Sequence, residues 1–163
     1  MNLYAPPIMS LSVRSLFAFA LLIGGVWAAS LMPDYSPKQK MLMADSFHTN
    51  RALSLHQVQQ LDNDAWQKVK ADSINFGFDT DIFWFRLDIA SLNLDSSSNW
   101  MLELRYPLLD YVDVYILENS NIITQYATGN SLPVASRAVV VPEFVFPLGD
   151  VSKTDWIYIR VQS

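Results

Sequence analysis

The chain has 163 residues, no cysteine, two histidines and a formal net charge of −5. Hydrophobic residues make up 51% of it and aromatic residues 13%, a composition that can form a core and that excludes a disordered chain. The acidic balance argues against a nucleic-acid partner. Without cysteine the chain has no disulfides, iron–sulfur clusters or thiol catalysis. Two histidines leave little for a metal site, and we expect no cofactor.

The N-terminus is typical of an export signal. Arg14 precedes an uncharged apolar run over residues 16–29, which is short for a bilayer span. The run closes with Val26-Trp27-Ala28, which resembles a small-x-small cleavage pattern. We predict a signal peptide over residues 1–28, cleaved after Ala28 or a residue or two later, and an entry segment over residues 29–41. A buried or anchoring helix is the alternative.

One short helix is predicted near the start of the mature chain. Ser54 and Gln57 have the spacing of a capping box. Leu55, Val58 and Leu61 follow at helical spacing, so we predict a helix over residues 54–61 that ends at 62–64.

After residue 70 the hydrophobic period changes to two. The sequence IFWFRLDI at 82–89, for example, places Phe85 and Leu87 on one face and Trp84 and Arg86 on the other. Such alternation indicates antiparallel strands with one buried face. Strands are predicted over residues 82–89, 100–106, 111–117, 122–127, 138–146 and 156–161. Short strands separated by turn residues predict an all-β sandwich or barrel. Because the last strand reaches Ser163, we expect a sandwich truncated at its C-terminal edge, in a fragment of a longer protein.

The order of several segments resembles one protein family. ALSLHQVQ, IFWFRLDI, WMLELRYPLLDYVDVYIL, ATGNSLPVASR and WIYIRVQS follow one another between residues 42 and 163. Together they resemble the type 2 extracellular domain of the 7TMR-DISM family, seven-transmembrane receptors with diverse intracellular signalling modules.

This resemblance implies an antiparallel jelly-roll-like β-sandwich with one short N-terminal helix, exported to the bacterial periplasm. It also implies a sensor of carbohydrate-like or small polar ligands. Members of the family normally continue into seven transmembrane helices and an output domain such as a diguanylate cyclase or histidine kinase. This chain carries neither part, so we expect no enzymatic activity from these residues.

A candidate ligand surface follows from the residues that alternate with the apolar face. They combine aromatic rings, guanidinium groups and carboxylates: Trp84, Arg86, Glu103, Arg105, Asp113, Tyr115, Trp156, Tyr158 and Arg160. If their strands share a sheet, rings can stack on a sugar while charged groups bind its hydroxyl or acid groups. With Arg137 counted as well, four arginines against two carboxylates favour an anionic ligand. Arg137 joins the set because it matches an arginine in the family's pattern. The predicted ligand-binding residues are Trp84, Arg86, Arg105, Tyr115, Arg137 and Tyr158.

The alternative for each of these residues is an ordinary cross-strand pair on a solvated sheet face. Trp84 fits that alternative least, unless a loop buries it. The pairs Asp62-x-Asp64 and Asp79-x-Asp81 lack the glycine and distal glutamate of a calcium loop, and we predict no metal site.

Three other functions remain open. The chain could be a free secreted carbohydrate-binding module, or a protein-interaction sandwich whose exposed strand face binds a protein partner or a second copy of itself as a homodimer. A hydrolase would need Glu103 and Asp113 as a carboxylate pair beside a cleft, which is the weakest of the three.

Overall fold

The computed structural model describes residues 8–11, 40–41, 43–70 and 81–163. Within these residues one α-helix, α1, spans Leu55–Gln59. The strands, in chain order, are β1 Ile8–Leu11, β2 Lys40–Met41, β3 Met43–Thr49, β4 Gln67–Lys70, β5 Ile82–Asp88, β6 Met101–Leu104, β7 Tyr111–Glu118, β8 Asn121–Thr128, β9 Phe144–Pro147 and β10 Trp156–Gln162.

The strands form two sheets. The larger has six strands in the order β4-β3-β5-β10-β7-β8, and all neighbours in it are antiparallel. The smaller has the order β2-β1-β6-β9, in which β6 and β9 are antiparallel and β1 runs parallel to β6. Strand β10 is the last in the sequence but lies in the middle of the larger sheet, between β5 and β7.

The main core lies between the two sheets. Leu102 of β6 and Phe146 of β9 meet residues such as Phe85 of β5 and Val114 of β7 in one buried cluster. Every second residue of β7 and β10 enters this cluster, as the period of two predicted. The all-β sandwich is therefore confirmed.

The predicted helix forms, but it is shorter than expected. Ser54 is its N-cap, and its side chain and that of Gln57 make both hydrogen bonds of the capping box. The helix ends at Gln59, and a 3-10 turn, Asn63–Ala65, follows.

Four strands, β1 to β4, were not predicted, and β1 and β2 lie in the segments predicted as signal peptide and entry segment. Strand β3 lies between the predicted entry segment and the predicted helix, and it was not predicted because its sequence, MADSFHT, buries only Ala44 deeply. Strand β4 is short and mostly exposed. Of the strand predicted over residues 138–146, only Phe144–Pro147 forms, since the preceding residues fold as a loop around Arg137.

Most of the predicted signal peptide, residues 1–28, lies outside the described residues. Only Ile8–Leu11 of it is described, as β1. Of the entry segment, only Lys40–Met41 overlaps the described residues. The truncated C-terminal edge stays a prediction.

Candidate functional site

The candidate site lies on the outer face of the six-stranded sheet, the face turned away from the main core. The register places two rows of residues side by side across β3, β5, β10, β7 and β8. The first row is Asp45, Arg86, Tyr158, Tyr115 and Gln125, and the second is Phe47, Trp84, Arg160, Asp113 and Ala127.

One half of this outer face is covered by a cap, which we define as residues 53–66. The cap contains α1, the 3-10 turn and Trp66. Leu55 and Val58 of α1 are buried with Trp84 and Tyr158 of the sheet in a second apolar cluster. The Gln59 side chain donates a hydrogen bond to the Ser120 carbonyl, 3.4 Å away, and so ties α1 to the turn between β7 and β8. Trp84 and Tyr158 therefore lie beneath the cap and not on an open surface.

Arg86 connects the cap to the sheet. Its Nε donates to Asp45 Oδ2 on β3 at 2.9 Å, and its Nη2 donates to Asn63 Oδ1 in the 3-10 turn at 2.9 Å. The guanidinium carbon also lies 4.5 Å from the ring centroid of Trp66 and 5.5 Å from that of Trp156. The side chain is only 13% exposed. Two of its nitrogens and its ring contacts are therefore engaged within the protein and not turned to solvent.

The two predicted aromatic residues beneath the cap are largely withdrawn from solvent. Trp84 is fully buried and Tyr158 is 8% exposed. Burial raises the pKa of the Tyr158 phenol above its ordinary value, and the nearby Arg86 guanidinium opposes this rise. The indole N–H groups of Trp66 and Trp84 have no hydrogen-bond acceptor among the described residues. The cap thus closes over an aromatic layer that is apolar in character.

The other half of the outer face is open. There Arg160 Nη1 donates to Asp113 Oδ2 at 2.9 Å, and Arg160 Nη2 donates to Gln162 Oε1 at 3.3 Å. The two charged side chains keep about a fifth of their surface in solvent, at 20% and 21%. The hydrogen bonds of this pair, to each other and to Gln162, involve no residue of the cap.

Tyr115 joins the open half to the capped half. Its ring stacks on that of Trp84, with centroids 6.1 Å apart and planes inclined by 17°. Partial burial raises the pKa of Tyr115, and the neighbouring Asp113 carboxylate adds to this effect while Arg160 opposes it. The phenol therefore stays protonated at neutral pH and can donate a hydrogen bond. Together these residues offer a half-buried ring beside a guanidinium and a carboxylate.

A family comparison bears on this surface. The model of the family described as 7TMR-DISM extracellular 2 matches residues 42–163. The chain belongs to this family. The family is an extracellular sensor domain of seven-transmembrane receptors, so the 7TMR-DISM domain has a sensing role and an extracellular or periplasmic location. A comparison with curated proteins finds no match to the chain.

The structure brings together four of the six residues predicted for ligand binding in this 7TMR-DISM domain. Trp84, Arg86, Tyr115 and Tyr158 share the outer face of the larger sheet. Arg105 follows β6 in the smaller sheet, where its Nε lies 3.2 Å from Glu103 Oε2.

Arg137 lies in a loop of the domain rather than on the outer face. Its Nη1 donates to the carbonyls of Val141 and Pro142 at 2.9 and 2.8 Å. The shared surface was predicted on the condition that the four strands lie in one sheet, and β6 does not meet this condition. For the same reason Glu103 and Asp113 lie in different sheets, which removes the basis for a carboxylate pair.

Sequence reasoning missed the partners that occupy Arg86. Asn63 lies in the predicted helix stop, whereas Asp45 and Trp66 lie in stretches for which no element was predicted. The alternation of β3 could have revealed Asp45, because Asp45 and Phe47 lie on the same face of that strand. No pattern in the sequence pairs Asn63 with an arginine more than twenty residues away.

Metal-binding groups and membrane-spanning helices are both absent from the described part of the chain. No group of three or more histidine, aspartate or glutamate side chains there is placed to hold a metal ion. Within the same residues, no helix has the length and apolar character needed to cross a bilayer.

Proposed function

We propose that this 7TMR-DISM domain senses a small polar ligand, of carbohydrate type, in the periplasm, as part of a membrane signalling receptor. The ligand binds on the open half of the outer face. The observation that carries this proposal is the arrangement of the Tyr115 ring beside the Arg160–Asp113 pair. An aromatic ring that is flanked by charged hydrogen-bonding groups suits a sugar, whose ring has apolar faces and hydroxyl edges.

The stack of Tyr115 on Trp84 can couple ligand binding to the packing of the cap. A ligand that moves Tyr115 changes the packing of Trp84, which lies in the cluster that holds the cap. Binding transmits a signal only if the ligand has different affinities for two arrangements of the domain. We infer that the two arrangements differ in how the cap packs on the sheet.

Ligand titrations test this proposal directly. The chain would be titrated with glucose, galactose, glucuronate and galacturonate while tryptophan emission is recorded, because Trp66 and Trp84 lie in the cap cluster. We expect saturable binding of at least one sugar. Tyr115→Ala and Arg160→Met should each weaken it about tenfold or more, in line with the loss of a charged hydrogen bond or a stacked ring.

Arg105→Met is the matched control, since Arg105 is also a partly exposed, ion-paired arginine but lies in the other sheet. A sugar that binds Tyr115→Ala and Arg160→Met as tightly as the parent chain contradicts the proposed site. Failure of all four sugars to bind counts against a carbohydrate-type ligand.

The signalling part of the proposal has a separate test. A coding sequence that continues beyond Ser163 through seven apolar segments supports a receptor. A stop codon close to Ser163 would instead leave a free secreted binding module, and the transduction claim would then fail.

A further inference from the structure

One end of the sandwich carries exposed aliphatic side chains on neighbouring loops. We call it the loop end and define it by three segments, residues 105–110, 129–132 and 133–143. Leu108 is 65% exposed, Val134 64% and Val140 76%. Leu132 and Val141 lie near them in the sequence and are also more than a third exposed. The three most exposed of the large aliphatic side chains in the described residues thus lie on these neighbouring loops, which makes the loop end a candidate contact surface.

The first two segments of the loop end are fastened to each other by backbone bonds. Asn130 N–H donates to the Leu109 carbonyl at 2.9 Å, and Ser131 N–H donates to the Asp110 carbonyl at 3.1 Å. Gly129 permits this approach, since a Cβ there would lie 2.0 Å from the Asp110 carbonyl oxygen. The aliphatic tips are thus presented by a braced structure, which lowers the entropy cost of binding.

The third segment is organised around Arg137. Besides the two carbonyls described above, its guanidinium carbon lies 4.5 Å from the Phe144 ring centroid. The charge of Arg137 is directed at its own loop and at this ring. The guanidinium of Arg137 therefore does not extend into solvent beside the exposed side chains of Val140 and Val141.

The C-terminal end of β10 emerges at the loop end. Gln162 pairs with Tyr111, and the Asp110 N–H donates to the Gln162 carbonyl at 2.9 Å. The opposite end of the sandwich carries the β7–β8 turn and the start of β10 at Trp156. A chain that continued from Ser163 towards a membrane would leave the domain beside Leu108.

We propose that the loop end is a bilayer-contacting surface, in which Leu108, Val134 and Val140 enter the interfacial region of a membrane. The proposed function supplies only the nearness of a membrane, and this inference rests on it to that extent. A lipid surface fits better than a protein one, because protein hot spots are rich in tryptophan, tyrosine and arginine and poor in leucine and valine. The net charge of −5 gives no attraction to anionic headgroups, so the contact is apolar and high salt does not release it.

The absence of cysteine from the chain allows a site-specific test. Single variants Leu108→Cys and Val140→Cys would carry an environment-sensitive fluorophore, and Ile123→Cys would be the matched control. Ile123 is an exposed aliphatic residue of β8, near the opposite end of the sandwich. Each labelled chain would be mixed with phosphatidylcholine vesicles, and separately with vesicles that also contain phosphatidylglycerol, at low and high salt. Thermal unfolding would establish that the three labelled chains are folded.

We expect a blue shift and a several-fold rise in emission at positions 108 and 140, with no change at position 123. The shift should appear with both vesicle types and persist at high salt, and spin-labelled lipid should quench it. Adsorption through another part of the chain would leave both loop probes in water, and that result would overturn the proposal. An equal response at all three positions would also overturn it.

A response that grows with protein concentration before vesicles are added would show that a second copy covers the loop end, again against the proposal. These measurements contain no sugar, and the sugar titrations contain no lipid. Failure of one proposal is therefore visible separately from failure of the other.

Discussion

Replacing Arg86 with alanine distinguishes a structural arginine from one that is available to a ligand. The change removes the hydrogen bonds to Asp45 and Asn63, both 2.9 Å long, and the contacts with the indole rings of Trp66 and Trp156. It leaves the Asp45 carboxylate, 24% exposed, without its cation. The cap loses its polar connection to the sheet.

The expected loss of stability follows from these contacts. A hydrogen bond to a charged group contributes about 1.5–3 kcal/mol, and a cation–π contact about 0.5–2 kcal/mol. The terms are not additive, and Asp45 recovers part of its hydration. We therefore expect Arg86→Ala to lower the free energy of unfolding by about 3 kcal/mol, between the values for a surface ion pair and a fully buried one.

Urea unfolding at neutral pH, followed by tryptophan emission, measures this loss. Arg105→Ala is the control, since Arg105 is 41% exposed and its ion pair should contribute about 1 kcal/mol or less. A double-mutant cycle with Asp45→Asn should give a coupling of about 1–2 kcal/mol. A loss below about 1 kcal/mol for Arg86→Ala would refute the reasoning and return Arg86 to the ligand-binding residues.

Three other predictions concern stability, each measured by urea or thermal unfolding. Gly129→Ala should lower the free energy of unfolding by about 3 kcal/mol or more, because its Cβ would collide with the Asp110 carbonyl. Gly149→Ala has open space around it and should lower the free energy of unfolding by only about 1–2 kcal/mol. Equal losses for the two variants would contradict the collision. Leu102→Ala, at a fully buried site between the sheets, should lower it by about 2–5 kcal/mol, and a smaller loss would mean that the core collapses around the cavity. In the folded chain the pKa of Tyr158 is raised above 10.0, so above pH 10 the Tyr158 phenol loses its proton more readily in the unfolded chain. The free energy of unfolding should therefore fall as the pH rises through that range. In Tyr158→Phe it should fall less steeply.

The period of two was the most informative feature of the sequence. It identified the buried faces of β7 and β10, which include Val114 and Ile159, because a half-buried strand must alternate. The same rule could not say which strands share a sheet. Hydrogen bonding between strands is set by the path of the chain, so Arg105 was grouped with Arg86 although β6 belongs to the smaller sheet.

The cap limited the prediction of the site for a different reason. Polar and aromatic residues opposite the core, such as Trp84 and Arg86, have the composition of a binding surface. They have the same composition when a second segment of the chain covers them. A five-residue helix leaves too weak a pattern to show where it packs, and only the contacts of Leu55 and Val58 with the sheet decide it.

The position of β10 has a consequence for how the chain acquires its fold during synthesis. Strands β5 and β7 do not pair with each other, and each forms its ladder with residues 156–162. The larger sheet therefore remains in two separate parts until the last of these residues has left the ribosome. Until then the central ladder is missing, so the larger sheet is completed only after all the other strands of both sheets have been synthesised.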